Sequence, residues 1–237
     1  MNDYSFSACP CQTHLFMKVL AKTTNGRTLR GDDKRSRILK AAAKTFARKG
    51  FYHTKISEIA QQAGIADGTI YLYFKNKDDI LITLFEESMG SILEGFSRKL
   101  AECQNPAEKI RAFVHLHFEL VRTNPDLAAV MQLELRQSHQ FIKQYSGTRI
   151  SDYLNLIGNI VDEGQASGLF RKDILPGIFK RALFGALDEM STLWVLSKTK
   201  KYDLLESAEQ IGAIFLEGML ANNSALKLGP RMKAANE

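Results

Sequence analysis

The sequence predicts an all-α protein, with a small N-terminal three-helix unit joined to a larger helical body. Three observations predict it. Only five prolines occur in 237 residues, well under the usual share of about 5%, which favours long unbroken elements over a turn-rich β architecture. From Ile38 onward, apolar residues recur at i, i+3 and i+4, the period of a helix face. Neither strand-like alternation nor an internal repeat is present in the sequence. The chain is also long enough to bury a sizeable core without disulfide or metal staples.

Charge divides the chain. The net charge is +6, yet residues 1–80 hold 14 Lys/Arg against seven Asp/Glu, while the remaining 157 residues are close to neutral. A basic first third points to a polyanionic partner. No apolar run of about 18 residues exists, so no membrane span is expected. The patch Leu15-Phe16-Met17 is broken at once by Lys18, unlike a signal peptide, and the reading is cytoplasmic. Cys9, Cys11 and Cys103 are too few for a disulfide framework. Cys9 and Cys11 with His14 stay one ligand short of a structural zinc site, so no metal and no cofactor is expected.

Residues 1–31 are polar and aperiodic and read as a flexible basic arm. A helix follows from Asp32, with Ile38, Leu39, Ala42, Ala43, Phe46 and Ala47 on one face and Gly50 just past its end. Thr54 is the expected N-cap of a short helix over Ile56 to Ala63. Gly64-Ile65 turns the chain, and Asp67 caps a second short helix reaching about Phe74. Asp78 and Asp79 open a longer helix carrying Ile80, Leu81, Leu84, Phe85, Met89 and Ile92. Short helix, glycine turn, short helix is the outline of a helix-turn-helix. Further helices are expected at about 107–122, 126–138, 139–163, 176–198 and 203–222. Breaks fall at Asn124-Pro125, between Gly164 and Pro176, and at Lys198 to Lys201; residues 223–237 read as a frayed tail.

Residues 34–90 resemble the DNA-binding domain of the TetR/AcrR family of transcriptional regulators. The string that carries the likeness is Ile38-Leu39-x-Ala41-Ala42, Phe46-x4-Phe51, Thr54, Ile56-x2-Ile59-Ala60-x2-Ala63-Gly64 and Gly68-Thr69-x-Tyr71-x-Tyr73-Phe74-x-Asn76-Lys77. The residues agree with that role. A helix entering a major groove needs small residues at close approach and hydroxyls or cations for phosphates. Gly68 allows the approach, Thr69, Tyr71 and Tyr73 offer hydroxyls, and Lys75 and Lys77 add charge. Thr54 and Lys55 start the preceding helix, whose N-terminal N–H groups favour a phosphate. Asp67, Gly68, Thr69 and Leu72 are the candidates for base edges. Ile70 and Phe74 read as core.

The same resemblance implies that residues 32–78 form the DNA-binding domain. Residues 79–222 would form a helical ligand-binding and dimerisation domain, whose last two helices pair in a homodimer. Apolar residues suit this: Phe179, Ala182, Leu183, Ala186, Met190, Leu193 and Trp194 make one stripe, widened by Phe184 and Leu187. Leu204, Ala208, Ile211, Phe215, Gly218 and Met219 make a second. Within the body, Met131 to Ser138, Phe184 to Glu189, Trp194-Val195 and Lys201 to Leu204 resemble FadR-type repressors of fatty-acid degradation, which respond to long-chain acyl-CoA. On that likeness the partners are a pseudopalindromic duplex operator, a hydrophobic effector such as acyl-CoA, and a second copy of the chain.

An acyl chain needs an apolar tunnel between helices, with Arg or Lys for the CoA phosphates at its mouth. Phe113, His117, Leu120, Leu133, Phe141, Met190 and Trp194 are candidate lining residues. Arg136, Arg122, Lys143 and Arg149 are candidates for the mouth. At helical spacing Phe113, Leu120, Leu133 and Met190 are more often plain core than ligand contacts, and His117, on the same face as Ile110, Phe113, Val114 and Val121, reads first as a satisfied core histidine. An efflux-pump regulator sensing hydrophobic or cationic drugs is the rival, with Glu119, Glu134 and Glu189 as its carboxylates. No nucleophile elbow, phosphate loop or paired catalytic carboxylates support an enzyme.

Overall fold

The computed structural model describes residues 30–134 and 148–221, with side chains from residue 33 onward except at 134. Among the described residues the fold is α-helical, and the one β feature is a single bridge between Phe170 and Leu220. The basic arm of residues 1–31 and the tail of residues 223–237 lie almost wholly outside this range.

The head is built from α1 (Arg30–Lys49), α2 (Ile56–Ala63) and α3 (Asp67–Ile70), closed by the start of α4 (Lys77–Ala101). Its core is Ile38, Leu39, Ala42, Phe46, Phe51, Ile59, Ala60, Ile70, Phe74, Ile80 and Leu81, the face predicted from periodicity. Gly64 ends α2 in the left-handed region at φ 66°. The Ile65 N–H closes back on the Ala60 carbonyl at 3.0 Å, which sets the turn between α2 and α3.

Three local expectations are corrected. Thr54 is not the cap of α2. Its side chain is buried and its hydroxyl donates to the Gly50 carbonyl at 2.8 Å; Lys55 holds the cap position, and Glu58 accepts from the Lys55 N–H at 3.0 Å. Asp67 is the first residue of α3 rather than its cap, which is Ala66, and α3 ends at Ile70 instead of Phe74. Ile70 and Phe74 must both reach the core, and the aromatic run between them is a poor helix former. The chain therefore closes a tight turn, with Tyr73 and Phe74 N–H groups both on the Ile70 carbonyl. α4 starts at Lys77, capped by the Asn76 side chain, which accepts from the Asp79 N–H at 2.8 Å.

The body comprises the rest of α4 with α5 (Pro106–Thr123), α6 (Pro125–Ala129), α7 (Thr148–Ala166), α8 (Pro176–Leu196) and α9 (Leu204–Met219). α5 packs most extensively on α9, and α7 on α8. The expected helix at 126–138 is instead the five-residue α6 followed by a π-helical turn, Val130–Glu134. α7 runs past Gly164, read as a break, to Ala166. A Cβ at Gly164 would sit 2.0 Å from the Phe170 ring, so the glycine lets Phe170 close over the helix end.

α8 turns Phe179, Leu183, Leu187 and Ser191 inward, and α9 turns Leu204, Ala208, Gly212, Leu216 and Met219. Leu187, read as a sideways extension, is thus on the inner row, while Ala182 and Leu193 of the predicted stripe face outward. Ile178 (64% exposed), Leu193, Leu196 (61%) and, on α9, Ile214 (67%) leave an apolar outer face.

Candidate nucleic-acid interface and effector site

The head presents two kinds of side chain at its functional surface. Tyr71 and Leu72 are 59% and 80% exposed, and Lys55, Asp67, Gly68 and Lys75 are exposed with them. Thr69 and Tyr73 are half-buried. Gly68 has no neighbour within 4 Å of where a Cβ would stand, so the protein interior does not require a glycine there.

The other kind is structural. Lys77 does not project freely. Its Nζ donates to the carbonyls of Phe51, Tyr52 and Thr54 at 2.7, 3.2 and 3.0 Å and lies 4.5 Å from the centre of the Phe51 ring. With Thr54 turned inward, both residues hold the loop that carries Lys55 rather than offering groups to solvent. Glu58 accepts from Lys49 and from the Lys55 N–H, and these bonds, that to Lys49 first, hold its carboxyl below the usual range.

A feature absent from the sequence reading joins head to body. α1 packs against both α6 and the π turn, and Ala128 and Val130 are buried there. The π turn also meets α8, where the Thr192 hydroxyl donates to Gln132 at 3.1 Å. The head is therefore tied to the body twice, through the continuous α4 and through this junction. Only the π turn itself, a rare insertion that tends to occur at functional sites, signals the second tie.

The body centres on an aromatic cluster. Phe96, Phe113 and Tyr153 stand 5.0–5.4 Å apart between ring centres, and Phe184 lies 6.2 Å from Tyr153. His117 sits at its edge, buried. Its Nδ1 is 2.7 Å from the Tyr153 hydroxyl and its Nε2 is 3.0 Å from Ser191 Oγ. Ser191 donates its own proton to the Leu187 carbonyl at 2.7 Å. Its oxygen must therefore accept from Nε2–H, which leaves Nδ1 to accept from Tyr153. The network is complete with a neutral imidazole. Burial pushes the His117 pKa down to about 4, opposed by Asp188, and pushes the Tyr153 hydroxyl up.

Of the sequence-predicted effector residues, Phe113 and His117 fall in this cluster, and Leu120 and Leu133 are half-buried on α5 and the π turn. Met190 and Trp194 line a separate cleft of about 140 Å³ with Leu193, Leu204, Lys200, Lys201 and Tyr202. Lys200 Nζ lies 3.8 Å from the centre of the Trp194 ring. Arg136, Phe141 and Lys143 lie outside the described residues. Arg122 is held by Glu119 at 2.8 Å and Arg149 by Glu86 at 2.8 Å, so neither predicted mouth cation is free. Glu119 is paired with Arg122, Glu189 is exposed and the Glu134 side chain lies outside those described; among the described residues no carboxylate is buried to receive a cationic drug. His115 meets Glu209 and points away from His117. Among the described residues there is no metal-binding cluster, and no helix is long and apolar enough to cross a membrane.

Known proteins match along nearly this whole span. Residues 38–84 match the model of bacterial regulatory proteins of the tetR family, and residues 85–218 match that of the YsiA-like protein C-terminal region. The fatty acid metabolism regulator protein of Bacillus subtilis strain 168 is 38% identical over 182 residues, 77% of this chain and 93% of the relative. The crystal structure of the transcriptional regulator FadR from B. subtilis, in complex with stearoyl-CoA, superposes with a TM-score of 0.72 at 38% identity. It covers 77% of this chain and 98% of that one. The fatty acid degradation regulator FadR from Bacillus halodurans gives 0.74 at 37% identity, covering 78% and 95%. With a helix-turn-helix head, an all-helical body and these matches, the chain belongs to the TetR family of DNA-binding bacterial transcriptional regulators.

Proposed function

We propose that this regulator is a homodimeric repressor of fatty-acid degradation genes, released from a pseudopalindromic operator by long-chain acyl-CoA. The observation that carries the reading is the 38% identity over most of both chains to a fatty acid metabolism regulator, whose fold this chain shares. The protein acts in the cytoplasm and catalyses no reaction. Residues 32–78 bind DNA, and residues 79–222 bind effector and dimerise through the outer apolar face of α8 and α9.

On the operator, Lys55 and Lys75 meet phosphates, and Tyr71 and Tyr73 add hydroxyl donors. Asp67, Gly68, Thr69 and Leu72 face base edges, with Gly68 leaving room for the groove wall. Thr54 and Lys77 act indirectly, by fixing the loop under Lys55. In the body, Leu120, Leu133, Met190 and Trp194 flank the acyl path, while Phe113 and His117 close its end. The cleft at Trp194 is smaller than the roughly 300–1,000 Å³ of ordinary ligand sites, so the effector enters by parting α5, α7 and α8. Displacing α8 disturbs the Thr192–Gln132 contact and, through the π turn, α1 of the head. Two ligands coupled this way typically differ by about 1–3 kcal/mol in each other's presence, or 5–150-fold in operator affinity.

The test is operator binding with palmitoyl-CoA, free palmitate or ethidium added. Release by the CoA ester alone is expected. Release by ethidium alone, or by nothing, overturns the acyl-CoA reading and leaves the DNA-binding one in place.

A further inference from the structure

The basic excess of the head is not spent on the recognition surface. On α1, Arg37, Lys40, Lys44 and Arg48 are all exposed, and at about 100° per residue they fall within about 80° of one another. They form one cationic row on the side opposite Ile38, Leu39, Ala42 and Phe46. Asp33 continues the row at its N-terminal end. Among the described residues Lys40, Lys44 and Arg48 meet no carboxylate; the nearby acid of α2, Glu58, is engaged by Lys49. Beside the row, α2 contributes the neutral Gln61 and Gln62, both exposed.

Shape accompanies charge. Arg37, Lys40, Ala41 and Lys44 form one wall of a groove of about 220 Å³ whose other wall is Gln62 and Ala63 of α2. Arg37 is fixed there, its Nη2 donating to the Ala63 carbonyl at 2.6 Å. This groove sits at the C-terminal end of α2, about 12 Å along that helix from Lys55. The Arg48 end is tied beside Lys55 through the Lys49–Glu58 pair. The row thus begins at the operator-facing edge of the head and climbs its flank for roughly 16 Å. Duplex DNA presents a phosphate about every 1.7 Å of its axis over such a length.

We infer that Arg37, Lys40, Lys44, Arg48 and Gln62 form a second, sequence-independent phosphate site on the flank of each head, taken by duplex DNA that extends beyond the base-read half-site. This site does not depend on the identity of the effector. Its ligand is the DNA backbone, because the cations form a line of duplex-like length that starts where the operator is already held. It confers affinity and salt dependence without base preference.

The experiment compares an operator duplex trimmed to the footprint with the same duplex extended by about 15 bp at each end. Wild-type protein is expected to bind the extended duplex at least tenfold tighter at low salt. Its salt dependence there is expected to be steeper by about 5 to 7 in log–log slope, at roughly 0.9 for each of three to four phosphates contacted per head on two heads. K40Q/K44Q/R48Q is expected to bind the two duplexes alike, with wild-type affinity for the trimmed one, which also reports an intact head. Equal wild-type affinity for both duplexes overturns the inference. Equal loss by the variant on both also overturns it, by placing the row within the ordinary operator contact. If the variant's defect appears only as lost binding to anionic phosphatidylglycerol vesicles, the row is a membrane contact and the DNA reading fails.

Discussion

The head and the body solve opposite problems with similar materials. The head turns much of its side-chain chemistry outward: Tyr71, Leu72, Lys55 and Lys75 are exposed, while Thr54 and Lys77, which hold the loop leading to Lys55, are turned inward. The body keeps its polar network inside. Its polar groups, His117, Tyr153 and Ser191, are buried and satisfied by one another. A partner that comes from outside as a rigid duplex can be met by a preformed surface. On the proposed function, a flexible apolar effector has to be enclosed, and its site would form as the packing yields. Hence substitutions should affect binding in the head without affecting stability, and stability in the body first.

The largest expected effect comes from the body. Phe113 is fully buried and touches Phe96 and Tyr153. Phe113→Ala removes the ring and leaves a cavity, for a loss of about 3–5 kcal/mol in urea unfolding at fixed protein concentration. A loss under about 1 kcal/mol would mean that the cluster is loosely packed and the effector path already open.

The head has one position that breaks the contrast. Lys77→Met keeps the aliphatic stem but deletes a charged donor shared by three carbonyls. Hydrogen bonds to charged groups contribute about 1.5–3 kcal/mol, so unfolding should move by about that much and operator affinity should fall with it. Weakened operator binding with unchanged unfolding would return Lys77 to the contact surface, as the sequence alone suggests.

That case shows what sequence could and could not carry. The head was legible because local chemistry specifies it: Ile59, Ala60 and Ala63 set the buried face of α2, and Gly64 the turn. Thr54 is not a cap because its hydroxyl turns back to the Gly50 carbonyl four residues away, and the carbonyl partners of Lys77 come from tertiary closure, with Lys77 and Phe51 lying 26 residues apart. In the body, helix periodicity found α5, α8 and α9, but a period does not say which residues share hydrogen bonds. His117 reaches Tyr153 and Ser191 across 36 and 74 residues. The π turn after α6 left no mark in a sequence whose apolar spacing suited one longer helix.

The His117 network gives a pH test of the same contrast. Its folded pKa of about 4 lies below the ordinary value of 6.5, so the unfolded chain binds the extra proton between those values. Stability is full above pH 6.5 and declines as pH falls toward 4. From pH 7 to pH 5 the loss from this residue should be about 2 kcal/mol. His117→Phe should remove that component, read as the difference between the two proteins' pH profiles. Parallel profiles would show that His117 is not held neutral in the folded body.

The smallest effect on stability sharpens the contrast most. Tyr71 is 59% exposed, so Tyr71→Phe removes a hydroxyl without opening a cavity, and unfolding should stay within about 0.5 kcal/mol of wild type. If that hydroxyl donates to an operator phosphate, each head loses roughly 1.5 kcal/mol or more of binding, as for a hydrogen bond to a charged group. A dimer carries two such heads, so operator affinity should drop by about 3 kcal/mol or more, upwards of a hundredfold. The salt slope should not change, because no cation has been removed and the same counterions are released. This separates Tyr71 from Lys75, whose loss should lower affinity and slope together. It also separates Tyr71 from Phe113, whose loss reaches the operator only by destabilising the fold. Wild-type operator affinity in Tyr71→Phe would show that the exposed ring serves the surface by its shape alone, and Tyr73 would then be the remaining candidate hydroxyl.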